Sequence, residues 1–159
     1  WKHPLADIAA RAAAPLGAGF TIIVLTTGSL WGKPTWGTWW VWDARLTSVL
    51  VLFFLYLGHI ALTHAFDNPQ RGAKAAAVLA LVGFVNIPII KFSVDWWNTL
   101  HQPASLTRLD RPAIDPAMLT PLLLMGLAFM AYFVTMLLIR MRADLNAARA
   151  RALQLSAAE

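Results

Sequence analysis

An all-α integral membrane bundle is the fold class this sequence predicts, on three observations. Of 159 residues, 58% are hydrophobic and 13% charged, whereas a soluble domain carries about a quarter charged residues. The mean hydropathy is +0.58. Four runs, 12–30, 46–66, 75–90 and 117–139, contain no Asp, Glu, Lys or Arg. A helix rising about 1.5 Å per residue needs roughly 20 apolar residues to cross about 30 Å of hydrocarbon, so each run is a candidate span. Backbone in lipid must bond internally, which makes such spans helices. The composition argues against a soluble enzyme and against a disordered chain. The absence of cysteine excludes disulfides, thiolate metal sites and thiol nucleophiles.

The first span, 12–30, carries Pro15 near its start, where a missing N–H is best tolerated. The second, 46–66, has only His59 and His64 as ionisable groups. The third run is short at 16 residues. It lengthens to a span of about 73–92 if Lys74 and Lys91 extend their ammonium groups to the two interfaces. Pro88 lies near its end, and Asn86 is expected to face another helix, because an unpaired amide in hydrocarbon is costly. The fourth span is 117–139. Beyond it the Ala/Arg-rich tail 140–159 is expected to continue the last helix as a solvated extension. The alternative is contact with headgroups or a cytoplasmic partner. The runs hold 79 of 159 residues, which predicts a single membrane domain.

Four spans place both termini and the 67–74 turn on one side, and the loops 31–45 and 93–116 on the other. Lys2, Arg11, Arg71, Lys74, Arg140, Arg142, Arg149 and Arg151 lie on the terminal side. Lys33, Arg45, Lys91, Arg108 and Arg111 lie on the loop side. Eight basic residues against five predicts cytoplasmic termini. The net charge of +5 is read as this topology signal rather than as nucleic-acid binding.

Seven of the eight tryptophans, Trp31, Trp36, Trp39, Trp40, Trp42, Trp96 and Trp97, fall on the loop side. An interfacial aromatic belt would populate both faces. The asymmetry favours a platform for a large, flat, apolar ligand. Trp36, Trp39 and Trp40 stand at i, i+3 and i+4, one face of a short helix, after a turn-rich lead-in of Gly32, Pro34 and Gly37. Asp43 and Arg45 are expected to pair and fix the loop; the alternative is that Arg45 meets an anionic group of the ligand.

The run Trp31-Gly-Lys-Pro-Thr-Trp-Gly-Thr-Trp-Trp-Val-Trp-Asp-Ala-Arg-Leu-Thr47 resembles the tryptophan-rich "WWD" signature of haem-handling membrane proteins. Val94-Asp-Trp-Trp-Asn-Thr-Leu-His-Gln102 and Ala65-Phe-Asp67 narrow the resemblance to the haem exporter protein C family (CcmC) of cytochrome c maturation. The resemblance runs from about Ala13 to Met141. It implies a six-helix protein of the bacterial inner membrane with cytoplasmic termini and a periplasmic WWD loop, of which this chain holds the last four helices. The implied cargo is haem b, with axial histidines in the two loops flanking the WWD loop. The second of these matches His101; the first is expected upstream of this chain, which therefore reads as part of a longer protein. Trp36, Trp39, Trp40, Trp42, Asp43, Arg45, Trp96 and Trp97 are the other expected haem contacts. The implied partners are the periplasmic haem chaperone CcmE, the small subunit CcmD, and the ABC-type pair CcmA and CcmB.

A neutral imidazole is a good donor to iron. His59, thirteen residues down the second span, is expected roughly 20 Å from the external interface, in a helix–helix hydrogen bond. His64 is expected at the opposite interface, and His3 is uninformative. No HExxH, paired-carboxylate helix, nucleophile elbow or phosphate-binding glycine loop occurs. Asp43, Asp95, Asp110 and Asp115 lack metal-ligand spacing. The protein would then supply position and tuning, the reactivity being largely the cofactor's. Two other readings stay open: a docking subunit that binds no haem, and a haem-translocating channel with His59 as a relay.

Overall fold

Residues 3–103, 105–106 and 112–157 are described by the computed structural model, the Pro4 side chain excepted. Trp1, Lys2, Arg108, Asp110 and Arg111, used in the sequence argument, lie outside the described residues. Four helices follow in order: α1 (Pro4–Trp36), α2 (Ala44–His64), α3 (Pro69–Trp96) and α4 (Pro116–Ser156). All four are long and apolar enough to cross a membrane, and no strand occurs among the described residues. The chain divides into two compact units. One is Gly17–Asp115; the other joins Trp1–Leu16 to Pro116–Glu159.

Three of the helices overrun the expected spans. An apolar run marks only what lies in hydrocarbon, whereas helical hydrogen bonding continues through interfacial residues. Trp31 to Trp36 are therefore helical, and so are Ser93 to Trp96. The expected loop 31–45 reduces to 37–43, with Arg45 already inside α2. The 67–74 turn reduces to 65–68. In α1 the hydroxyls of Thr21, Thr26, Thr27 and Thr35 each donate to the carbonyl four residues back, at 2.7–2.9 Å. Polar side chains are thereby satisfied within an apolar helix. Gly17 of α1 lies so close to Tyr56 of α2 that a Cβ there would stand 2.5 Å from the ring.

α2 and α3 form an antiparallel hairpin. Asn68 caps α3, its Oδ1 accepting from Gln70 N at 2.9 Å and Arg71 N at 3.4 Å, and Pro69 occupies the first helical position. Gly72, Ala76, Gly83 and Ser93 are buried. With Leu79, Asn86 and Ile90 they follow a seven-residue repeat down one stripe of α3, and small side chains let two backbones approach closely. A Cβ on Gly83 would meet Leu55 at 3.4 Å; one on Gly72 would stand 3.0 Å from the carbonyl oxygen of Leu62. Asn86 faces α2 as expected, its Nδ2 donating to the Ser48 carbonyl at 2.8 Å. Replacing Asn86 with Ala should cost about 1 kcal/mol, within the range of interhelical hydrogen bonds in membranes. Equilibrium unfolding of the protein in mixed detergent micelles checks this.

α4 has 41 residues, about 61 Å of helix. It continues unbroken through Arg140, Arg142, Arg149 and Arg151, so the arginine-rich stretch is a helical extension. Pro121 falls in its second turn.

Candidate functional site

The end of the Gly17–Asp115 unit where α1 stops, α2 starts and α3 has just finished gathers most of the chain's indoles. Gly37, at φ 78°, closes α1 in the left-handed conformation that favours glycine. Its N–H donates to the Lys33 carbonyl at 3.1 Å, and Lys33 Nζ returns to the Gly37 carbonyl at 3.2 Å. This turn removes the short helix expected to align Trp36, Trp39 and Trp40. Trp36 is the last residue of α1, while Trp39 and Trp40 lie in the following non-helical stretch. Gly32 and Pro34, expected in a turn, are helical. Trp40 and Trp42 meet edge to face at 5.5 Å, and the Lys33 ammonium stands 5.8 Å from the Trp39 ring centroid.

Asp43 organises the site. At φ −88°, ψ 166° it is the N-cap of α2, and its Oδ1 accepts from Leu46 N at 2.7 Å. Its Oδ2 accepts from the Thr99 hydroxyl at 2.5 Å and lies 2.7 Å from His101 Nδ1. Thr99 Oγ1 in turn accepts from the His101 backbone N–H at 3.1 Å. The expected Asp43–Arg45 pair does not form, because capping aims the carboxylate back over the first turn and toward His101. Burial alone would raise the Asp43 carboxyl. The Thr99 hydroxyl, the Leu46 N–H and the His101 ring outweigh it and hold the group below its ordinary value. The Asp43 side chain is 4% exposed and that of His101 18%.

The imidazole also has an aromatic neighbour. Trp36 meets the His101 ring edge to face at 4.8 Å, and Trp31 meets Trp36 at 5.3 Å. Phe92 stacks on Trp96 at 5.5 Å, and Trp96 contacts Trp97 at 6.0 Å. The structure thus joins Trp36, Asp43 and His101 of the expected site. Trp39, Trp42, Trp96 and Trp97 stand exposed beside them in sequence. Arg45 Nε and Trp40 Nε1 are buried without a hydrogen-bond partner among the described residues. Thr99 was not anticipated; the only signal for it is a hydroxyl two residues before a histidine, the spacing of a side-chain-closed turn. His59 sits fifteen residues into α2, about 22 Å along the helix from its start. Its Nδ1 is buried with no partner among the described residues, so that atom makes no interhelical hydrogen bond there. His64 ends α2 and is exposed.

Four apolar helices and a carboxylate-bound imidazole in edge contact with an indole define a multi-pass membrane protein with an aromatic, histidine-bearing end. The chain belongs to the Heme exporter protein C (CcmC) family, whose sequence model matches residues 1–156. It is 61% identical over 155 residues to the Heme exporter protein C of Bradyrhizobium diazoefficiens, covering 98% of this chain and 59% of that protein. To the Heme exporter protein C of Escherichia coli K12 it is 56% identical over 142 residues, 89% of this chain and 57% of that one. A putative cytochrome c biosynthesis ccmC-like mitochondrial protein of Marchantia polymorpha is 50% identical over 134 residues, 84% of this chain and 55% of that protein. The chain spans a little under three fifths of the length of these relatives.

Proposed function

We propose that the protein containing this chain presents haem b at the outer face of the bacterial inner membrane and delivers it to the periplasmic chaperone CcmE for cytochrome c maturation. The observation that carries this reading is the approach of His101 to Trp36, ring centroids 4.8 Å apart across 65 residues of sequence. An iron donor is thereby set against an indole, with Trp39, Trp42, Trp96 and Trp97 exposed nearby in sequence. His101 is assigned as one axial ligand of haem iron. Trp36, with the exposed Trp39, Trp42, Trp96 and Trp97 and the partly buried Trp40, covers porphyrin surface. Apolar contact of this kind contributes about 25 cal/mol per Å², independently of the iron bond. Arg45, whose Nε has no partner among the described residues, is assigned to a haem propionate. The second axial histidine is assigned to the part of the protein outside this chain. The termini are cytoplasmic in this reading, and the 37–43 stretch periplasmic. CcmD and the ABC-type subunits CcmA and CcmB complete the assembly.

The test is purification of the full-length protein together with CcmE. A Soret band is expected, and replacing Trp39, Trp40 and Trp42 together with Ala should lower it while assembly with the partners persists. Absence of haem absorption under both oxidising and reducing conditions would refute the reading. Loss of assembly at normal haem content would make the aromatic end a docking surface instead.

A further inference from the structure

We infer that Asp43 is a positioning residue for His101: its carboxylate fixes the imidazole with the proton on Nδ1, so that Nε2 is the nitrogen presented to haem iron. The inference rests on the haem reading above and names the group that prepares its ligand. The argument starts from proton accounting. An ionised carboxylate accepts hydrogen bonds and has none to donate. Asp43 Oδ2 lies 2.7 Å from His101 Nδ1, so the proton between them belongs to the ring. The single proton of Thr99 Oγ1 is directed at the same carboxylate oxygen. In the neutral ring, Nε2 therefore keeps its lone pair, and among the described residues it has no hydrogen-bond partner. A neutral imidazole without that carboxylate would distribute its proton between both nitrogens and turn more freely about its side-chain bonds.

The carboxylate is itself held in place. Its Oδ1 is engaged by the Leu46 N–H at 2.7 Å, and the side chain is almost fully buried. One residue thus caps a transmembrane helix with one oxygen and orients a histidine 58 residues away with the other. The non-helical segment after Trp96 is thereby tied, through Thr99 and His101, to the start of α2. Metal-bound histidines commonly donate their second N–H to a carboxylate, which fixes the tautomer and raises ligand basicity, and losing that partner costs about 10–100-fold in affinity. Asp43 therefore acts through His101 rather than as a haem contact.

The cap and the positioning can be separated by substitution. Asn and Ser both cap helices about as well as Asp, so neither should unfold α2. Asp43→Asn keeps an acceptor near Nδ1 but removes its charge. Asp43→Ser keeps the cap and is too short to reach His101. In full-length protein carrying ¹⁵N-labelled histidine and freed of haem, the wild type should give the Nδ1–H signature for His101, and Asp43→Ser should give a mixture. In the haem-loaded protein, Asp43→Ser should retain haem roughly tenfold or more weakly. Asp43→Asn should retain it nearly normally, but with a more positive reduction potential, because a less basic imidazole stabilises ferric iron less. A wild-type tautomer signature in Asp43→Ser would overturn the inference, as would unchanged retention and potential across both variants. A wild type that binds no haem but shows the Nδ1–H signature would overturn the haem reading alone, leaving the tautomer assignment standing.

Discussion

Replacing His101 with Gly in the full-length protein is expected to weaken haem retention by roughly 100-fold or more, since loss of an outer-shell partner alone costs about 10–100-fold. On the axial role proposed for His101, the low-spin spectrum should collapse, because that position would be vacated. Part of the porphyrin should stay associated, held by indole contact that does not depend on iron. Added imidazole should restore part of the low-spin spectrum by filling the vacancy. His59→Ala should leave the spectrum almost unaltered, because His59 lies about 22 Å along α2 from the end where Trp36, Asp43 and His101 meet. Absorption spectra of the two variants, inserted to equal levels, make the comparison. An unchanged spectrum for the first variant, or a collapse for the second, would reassign the ligand.

The second large effect is on folding. Gly72→Ala and Gly83→Ala make the same chemical change on the same stripe of α3, yet they should differ in sign. At Gly72 the new methyl would stand 3.0 Å from the Leu62 carbonyl oxygen and 3.2 Å from that of Thr63. Those atoms are backbone in the last turns of α2 and cannot turn aside. The hairpin must open locally, at a cost of about 1–3 kcal/mol, typical of overpacking. At Gly83 the methyl meets Leu55 Cδ1 at 3.4 Å, an ordinary contact, and alanine favours helix over glycine by about 1 kcal/mol. Gly83→Ala should be neutral or slightly stabilising. Unfolding in mixed detergent micelles resolves the pair; no destabilisation by Gly72→Ala would show that the α2–α3 contact is looser there than described, and equal destabilisation of both that it is tighter at Gly83.

The helices were legible because an uncharged run of about 20 residues leaves the backbone few other solutions in lipid. Their ends were less legible. Polar and aromatic residues at the interface, such as Lys33 and Trp36, are compatible with either loop or helix, and only Gly37 with its positive φ decides where α1 stops. Asn86 was placed correctly because an amide amid apolar neighbours has one economical solution, a partner helix. Asp43 was misplaced for the converse reason. Arg45 was the nearest cation in the sequence, whereas its actual partners, Thr99 and His101, lie 56 and 58 residues away. Local spacing identifies an N-cap candidate; it carries no information about which distant loop a cap's second oxygen will meet. His101 itself was singled out by resemblance, since a lone loop histidine has no periodic signature.

The Asn86–Ser48 hydrogen bond also bears on how this protein enters its membrane during synthesis. A lone α3 released into lipid would carry a carboxamide with no acceptor. α2 emerges first and brings the Ser48 carbonyl that Asn86 takes at 2.8 Å, and only residues 65–68 separate the two helices. The hairpin is thus the smallest piece of this segment that can leave the insertion machinery with that amide already satisfied. Lengthening the short connection would delay the meeting of amide and carbonyl and prolong the time for which α3 carries an unpaired amide in hydrocarbon.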